Sequence, residues 1–391
     1  MSISVVIIKP TKHCNAECTY CAAPPEVNAG PNDKWSVDRF KRYFDAIQEG
    51  LTPGATLICH GGEPMLMPPE FYRAAHEYAW SIRPHIRFAM QTNLLLYSSK
   101  RWRDLFREDL KGNISTSFDP DERHREYKGN TELYTRLFMD RLNTAIDDGF
   151  NPVVIGTYTE ETMQSAFDMY EWAVAMGKRA PSLRMNYRYP AGRASEEGAA
   201  IDPATYGEAL LRLYDRWIVE LPPFGIVPLE QMFKKTIGLE SSRCPWMKDC
   251  GGRFLEIEPN GDVYNCSDFA DMGDTSYSFG NLDVHDLAHL MSSPAAVAMR
   301  RRRYDVPADC LACPHFQQCE GGCTRDSVLF GRGLGGKFYY CQSWKMVFNR
   351  IKESIATGEA DGLIRRFGRN PDAVRSMCGF APLAARETVP A

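Results

Sequence analysis

The run Ile3-Ser4-Val5-Val6-Ile7-Ile8, broken by Lys9 and Pro10 and followed by Lys12-His13-Cys14-Asn15-Ala16-Glu17-Cys18-Thr19-Tyr20-Cys21, decides how the chain is read. A short β-branched stretch that ends in a polar loop is the pattern of a buried strand delivering residues to one end of a sheet. The pattern recurs. Strands are expected at Ala55 to His60, Ile86 to Thr92, Asn113 to Phe118, Pro152 to Tyr158 and Leu183 to Tyr189, each followed by apolar residues at helical spacing. Ser36 suits an N-cap ahead of Val37, Phe40, Phe44 and Ile47, and Gly50 suits the far end. Leu133, Leu137, Leu142 and Ile146 form a second stripe that Gly149 closes; Leu210, Leu213, Trp217 and Leu221 form a third. Six β/α units predict a parallel sheet with right-handed crossovers but are too few for a closed eight-stranded barrel. The expected fold class is α/β, an open partial (β/α)6 TIM barrel with its chemistry at the C-terminal ends of the strands.

The chain has 391 residues, 44% of them hydrophobic, and a formal net charge of -4. It offers no broad positive field for a phosphate backbone, so no nucleic acid is expected as partner. The apolar stretch before Lys9 is too short for a signal peptide and no run of membrane-spanning length follows, so no membrane contact and a cytoplasmic location are expected. Thirteen cysteines in a reducing compartment point to metals rather than disulfides. Three stand in the first loop and eight between Cys244 and Cys341. Beyond Pro222 the helix and strand alternation stops, and Phe254 to Cys266 reads as a hairpin turning at Asn260-Gly261, a favoured two-residue turn. The expected domains are a barrel over 1–235, a cysteine-rich region over 236–345, and a C-terminal helix and tail over 346–391.

Cys14, Cys18 and Cys21 have the spacing C-x3-C-x2-C. A [4Fe-4S] cluster is normally held by four cysteines, so three leave one iron open to an exogenous ligand such as the amine and carboxylate of a methionine. A zinc site completed by His13 or His60 is the alternative. Downstream, Cys310, Cys313, Cys319, Cys323 and Cys341, joined by Cys244, Cys250 and Cys266, make two complete sets of four for clusters or for thiolate zinc. At Cys59-His60-Gly61-Gly62-Glu63-Pro64 two glycines let the backbone approach a ligand, and the carboxylate can meet an ammonium group. Cys59 reads as a small buried hydrophobe, Cys378 as a free thiol, and Arg300 to Arg303 as a solvated charge run.

These motifs resemble the radical S-adenosylmethionine (SAM) superfamily over roughly residues 1 to 235. The resemblance implies Cys14, Cys18 and Cys21 as ligands of the cofactor-cleaving cluster and Gly61, Gly62, Glu63 and Pro64 as the methionine-contacting motif. It also implies Tyr20 at the adenine, Gln91, Thr92 and Asn93 lining the pocket, Ser117 facing the ribose, and Arg193 in the loop after the sixth strand. Asp119-Pro120 departs from the family's usual Asp-Gly. The downstream spacing is similar to the SPASM domain, which implies Cys244, Cys250, Cys266 and Cys323 around one auxiliary cluster and Cys310, Cys313, Cys319 and Cys341 around another, three [4Fe-4S] clusters in all.

The implied reaction is hydrogen abstraction from a substrate by a 5'-deoxyadenosyl radical, followed by overall two-electron oxidation, with a flavodoxin or ferredoxin type of reductant. The spacing looks similar to that of anaerobic sulfatase-maturating enzymes, which oxidise a Cys or Ser side chain to formylglycine. In that family an aromatic residue commonly follows the third cysteine and an Asp follows the hairpin cysteine; here Ala22 and Ser267 stand there, and Asp268 is the candidate proton acceptor one place later. The first expectation is therefore a maturase that cross-links side chains of a ribosomal peptide (RiPP biosynthesis), the second sulfatase maturation, and the third a dehydrogenase or epimerase of a sugar or aminocyclitol. With thirteen residues before Cys14, a peptide is expected to be captured by the barrel mouth, the C-terminal region or another protein.

Overall fold

The computed structural model describes residues 2–22, 34–195, 200–241, 244–246 and 249–383. Strands β1 (Ile3–Ile8), β2 (Leu51–Cys59), β3 (Arg87–Thr92), β4 (Ile114–Ser117), β5 (Val153–Tyr158) and β6 (Leu183–Tyr187) pair in parallel in sequence order. Helices α1 (Val37–Ile47), α2 (Pro69–Ile82), α3 (Ser99–Glu108), α4 (Thr131–Asp147) and α5 (Ser165–Met176) connect them, and α6 (Pro203–Glu220) follows β6. This is the partial (β/α)6 barrel expected from the periodicity.

Caps and burial explain why these segments form. Ser36 accepts from the Arg39 amide at 3.1 Å and Asn130 from the Leu133 amide at 2.6 Å, which satisfies donors that a helix N-terminus leaves free. The strands put Val6, Leu57, Phe88, Val154 and Leu183 into a shared core with Phe40, Phe138 and Trp217 from the helices. Each such side chain contributes about 1.5–3 kcal/mol by leaving water.

Two features differ from the expectation. A short seventh strand, β7 (Ile226–Val227), extends the sheet beyond β6. The expected hairpin is not free-standing: β8 (Phe254–Ile257) pairs in parallel with β1, with Ile8 opposite Ile257, and β9 (Asp262–Tyr264) and β10 (Gly280–Asn281) continue the sheet antiparallel. The turn holds three residues rather than two: Glu258 N–H donates to Asp262 O at 2.9 Å across Pro259-Asn260-Gly261, with Gly261 at φ +89°. Pro259 lacks an amide donor, and the glycine takes the left-handed position that closes a three-residue loop. All of β8 is buried, the Glu256 side chain included, because the strand lies between β1 and β9. The barrel sheet thus runs on into the cysteine-rich region.

The helix Cys341–Thr357 lies along α6, where Tyr214 and Ser354 hydroxyls meet at 2.7 Å and Arg350 pairs with Asp215 at 2.8 Å. The last eight residues of the expected tail fall outside the described residues. Among the described residues no helix is long and apolar enough to cross a membrane.

Candidate active site

The first cysteine loop is sewn to the barrel mouth by backbone hydrogen bonds. Glu17 N–H donates to Glu126 O and Thr19 N–H to His124 O, both at 2.9 Å, while Gly62 and Glu63 N–H reach Thr11 O and His13 O at 3.1 and 2.7 Å. The glycines serve this contact: a Cβ on Gly61 would stand 2.2 Å from Thr11 O, and one on Gly62 2.2 Å from both Lys12 O and His13 O. Their bareness admits the cysteine loop itself. Arg193 N–H donates to Cys21 O at 3.0 Å, so the loop after β6 closes over the same segment. Asn93 donates to Asn15 Oδ1 at 2.7 Å, with its amide nitrogen 3.9 Å from Cys14 Sγ.

The residues expected at the cofactor also have partners within the chain. Glu63, expected to meet an ammonium group, is buried and accepts from Met65 N (2.8 Å), Thr92 Oγ1 (2.6 Å) and Asn93 N (2.7 Å). Burial nevertheless pushes its carboxyl up to about 7. It holds the β2 turn to the end of β3. Tyr20, expected at the adenine, donates its hydroxyl to Asp119, which also pairs with Arg125 at 2.7 Å and accepts from Thr157 N at 2.8 Å. Sequence reading noticed Asp119 only as a departure and missed Arg125 entirely. Ser117 ends β4, its carbonyl accepting from Tyr134 at 3.0 Å, and Gln91 lies half-buried on β3.

The downstream thiols fall into two neighbourhoods. Cys266 lies near Cys244 and Cys323, and Cys244 near Cys250; Cys319 lies near Cys341, Cys310 and Cys313. The second group lines one cavity together with Trp344 and Phe348. Among the described residues no three His, Cys, Asp or Glu side chains converge tightly enough to hold a single metal ion. Four thiols in each neighbourhood are the donor set of a [4Fe-4S] cluster. Cys59 is fully buried on β2, as expected of a small hydrophobe. Cys378 is half-buried with its thiol 3.7 Å from Thr236 O, so it is not a free surface group.

Asp268 joins the two regions. It follows Cys266 on the helix Ser267–Asp271, accepts from Tyr189 beyond β6, and pairs with Arg325 at 3.0 Å. Burial raises its carboxyl, but Arg325 and Tyr189 more than offset this and hold it below the ordinary carboxylate range. Arg325 also pairs with buried Asp326 at 2.7 Å and lies 3.8 Å from the Tyr189 ring centroid. Nearby, buried Lys9 donates to Glu258 and Asp271, both at 2.8 Å, and stands 3.7 Å from Glu256. His60, at the end of β2, is driven down to about 4 by burial and by Lys9. Lys9, Arg325 and Asp326 were not singled out from sequence; the one local signal was a lysine closing an otherwise apolar strand.

Comparison with known proteins defines the class. The radical SAM superfamily profile matches residues 8–173, and that of SPASM, an iron-sulfur cluster-binding domain, matches residues 244–314. The chain carries a radical SAM domain followed by a SPASM domain. Its curated relatives include a serine-type anaerobic sulfatase-maturating enzyme of Bacteroides thetaiotaomicron, 25% identical over 88% of this chain and 89% of the other. A cysteine-type anaerobic sulfatase-maturating enzyme of Clostridium perfringens strain 13 is 24% identical over 88% and 95%. The same fold is seen in a histidine-tagged anSMEcpe solved with bound AdoMet, at TM-score 0.76 and 19% identity over 96% of this chain and 98% of that one. It is also seen in Streptococcus suis SuiB, at TM-score 0.61 and 14% identity over 87% and 77%.

Proposed function

We propose that this protein oxidises a side chain of a peptide or protein substrate by two electrons, using S-adenosylmethionine, three [4Fe-4S] clusters and a reductant of flavodoxin or ferredoxin type. The observation that carries the reading is the parallel pairing of β1 with β8, which makes the strand feeding Cys14, Cys18 and Cys21 a neighbour of the strand that follows Cys250 and opens the hairpin to Cys266. Cys14, Cys18 and Cys21 would hold the first cluster, Cys244, Cys250, Cys266 and Cys323 the second, and Cys310, Cys313, Cys319 and Cys341 the third. When bound, these groups supply the hydrogen-abstracting 5'-deoxyadenosyl radical and an acceptor for the electron the substrate releases.

The chain's own residues orient and shield. Gly61 and Gly62 admit the cysteine loop, and Glu63 locks the β2 turn onto Thr92 and Asn93. Asp268, an ionised carboxylate held by Tyr189 and Arg325, is the proton acceptor at the junction. The substrate loses one hydrogen atom, one proton and one electron, which balances the formation of one new bond between two side chains.

Cross-linking is the first reading, because Ser267 directly follows Cys266 where the sulfatase-maturating pattern has Asp, and the carboxylate stands one place later at Asp268. Formylglycine formation is the second, favoured by the near full-length similarity to the sulfatase-maturating enzymes. Anaerobic incubation with dithionite, S-adenosylmethionine and candidate peptides separates them. A product lighter by two hydrogens that resists aldehyde trapping supports the first, a trapped aldehyde supports the second, and unchanged peptide mass throughout rules out both.

A further inference from the structure

The charge run Arg300 to Arg303 is not uniformly solvated. Arg301 is exposed, yet Arg302 is 7% exposed and points into the cysteine-rich region. Its guanidinium donates to Gly321 O at 3.1 Å and Gly336 O at 3.0 Å. Gly321 stands two residues from Cys319 and two from Cys323, members of different four-thiol neighbourhoods. Gly251, next to Cys250, packs so tightly under the same helix that an added Cβ would lie 2.4 Å from Met299 O. Arg302 Nε is buried and has no acceptor among the described residues. Burial lowers the affinity of this guanidinium for its proton, while Cys310, Cys250, Cys319 and Cys323 pull the other way, so thiols from both neighbourhoods lie within its electrostatic reach.

We propose that Arg302 is a shared electrostatic partner of the two auxiliary cluster sites, its fixed positive charge raising both reduction potentials. The proposal rests on the cluster assignment above. A buried cation stabilises the more negative, reduced state of a nearby centre, and hydrogen bonds to sulfur act in the same direction. Arg302 is thus a positioning and tuning residue: it makes both sites better electron acceptors together and touches no substrate.

The test is EPR-monitored potentiometry of the anaerobically reconstituted full-length protein, with the centre at Cys14, Cys18 and Cys21 as an internal reference. In Arg302→Gln the reduction equilibria of both auxiliary centres should move at least tenfold toward the oxidised form, about 59 mV for a one-electron couple, while the reference stays put. Arg302→Lys should restore most of the shift, and Arg301→Gln should cause none. If Arg302→Gln does not retain iron, the shape-preserving neutral replacement Arg302→citrulline takes its place. Unmoved auxiliary midpoints, or an equal shift of all three centres, overturn the proposal. Zinc in place of iron at the eight downstream thiols would instead overturn the cluster assignment, and the tuning role with it.

Discussion

Lys9 donates from Nζ to Asp271 at 2.8 Å, tying the residue that ends the first barrel strand to the helix that follows Cys266. The same ammonium meets Glu258 and Glu256, so one buried cation serves three carboxylates. Burial opposes the charge on Lys9, but the carboxylates outweigh it and hold its pKa well above the ordinary value. Burial raises Glu256 well above the carboxylate range, whereas Lys9 and Lys12 bring Glu258 down.

This unequal sharing predicts unequal mutants. Lys9→Met strips the buried Asp271 carboxylate of its cation, while Glu258 keeps Lys12, and should cost about 3–5 kcal/mol. Glu256→Gln replaces a protonated acid by a neutral amide and should cost less than about 1 kcal/mol. Anaerobic urea unfolding checks both, and equal losses would contradict the assignment of charge.

Gly62→Ala places a methyl 2.2 Å from two backbone oxygens of the cysteine loop. Backbone cannot yield as a flexible side chain can, so a loss of about 1–3 kcal/mol is expected, with reduced iron retention at the first site. Gly112→Ala is the control: its Cβ meets nothing, so any loss there reports its left-handed φ of +73° alone. Thermal unfolding and iron analysis read both variants, and full iron retention by Gly62→Ala would show that the loop can move aside.

Asp268→Asn keeps the hydrogen bond to Tyr189 but removes the proton acceptor. Product formation should fall about 10²–10⁴-fold while S-adenosylmethionine cleavage continues, giving 5'-deoxyadenosine without modified peptide. Parallel loss of both products would place Asp268 in the structure of the site rather than in proton transfer.

His60 carries a pH prediction. Its folded pKa, about 4, lies below the ordinary histidine value because burial and Lys9 disfavour the charged ring. The folded protein therefore binds fewer protons than the unfolded chain between about pH 4 and 6.5. Stability from this residue is present above that window and lost as pH falls through it, on the order of 3 kcal/mol. His60→Gln should flatten the dependence in urea titrations across the window; an unchanged slope would assign it to other groups.

The six barrel strands were legible because each is a local apolar run with a helical stripe after it, as in Ile3–Ile8 followed by Phe40 and Phe44. The cysteines were legible because ligand chemistry is written in residue type and short spacing. The place of β8 was not, since nothing near Phe254 says that its neighbour is Val5, some two hundred and fifty residues earlier. Arg302 was misjudged for the same reason: a charge run looks solvated until Gly321 and Gly336 are known to cover it.

The amino-acid sequence by itself determined the barrel strands and the cysteine-rich region with its ligand-like spacing, because periodicity and ligand spacing act over a few residues. Only the tertiary structure decided that Lys9 and Asp268 tie the two regions together and that Arg302 is buried among the cysteines, because burying a charge depends on partners brought from far along the chain.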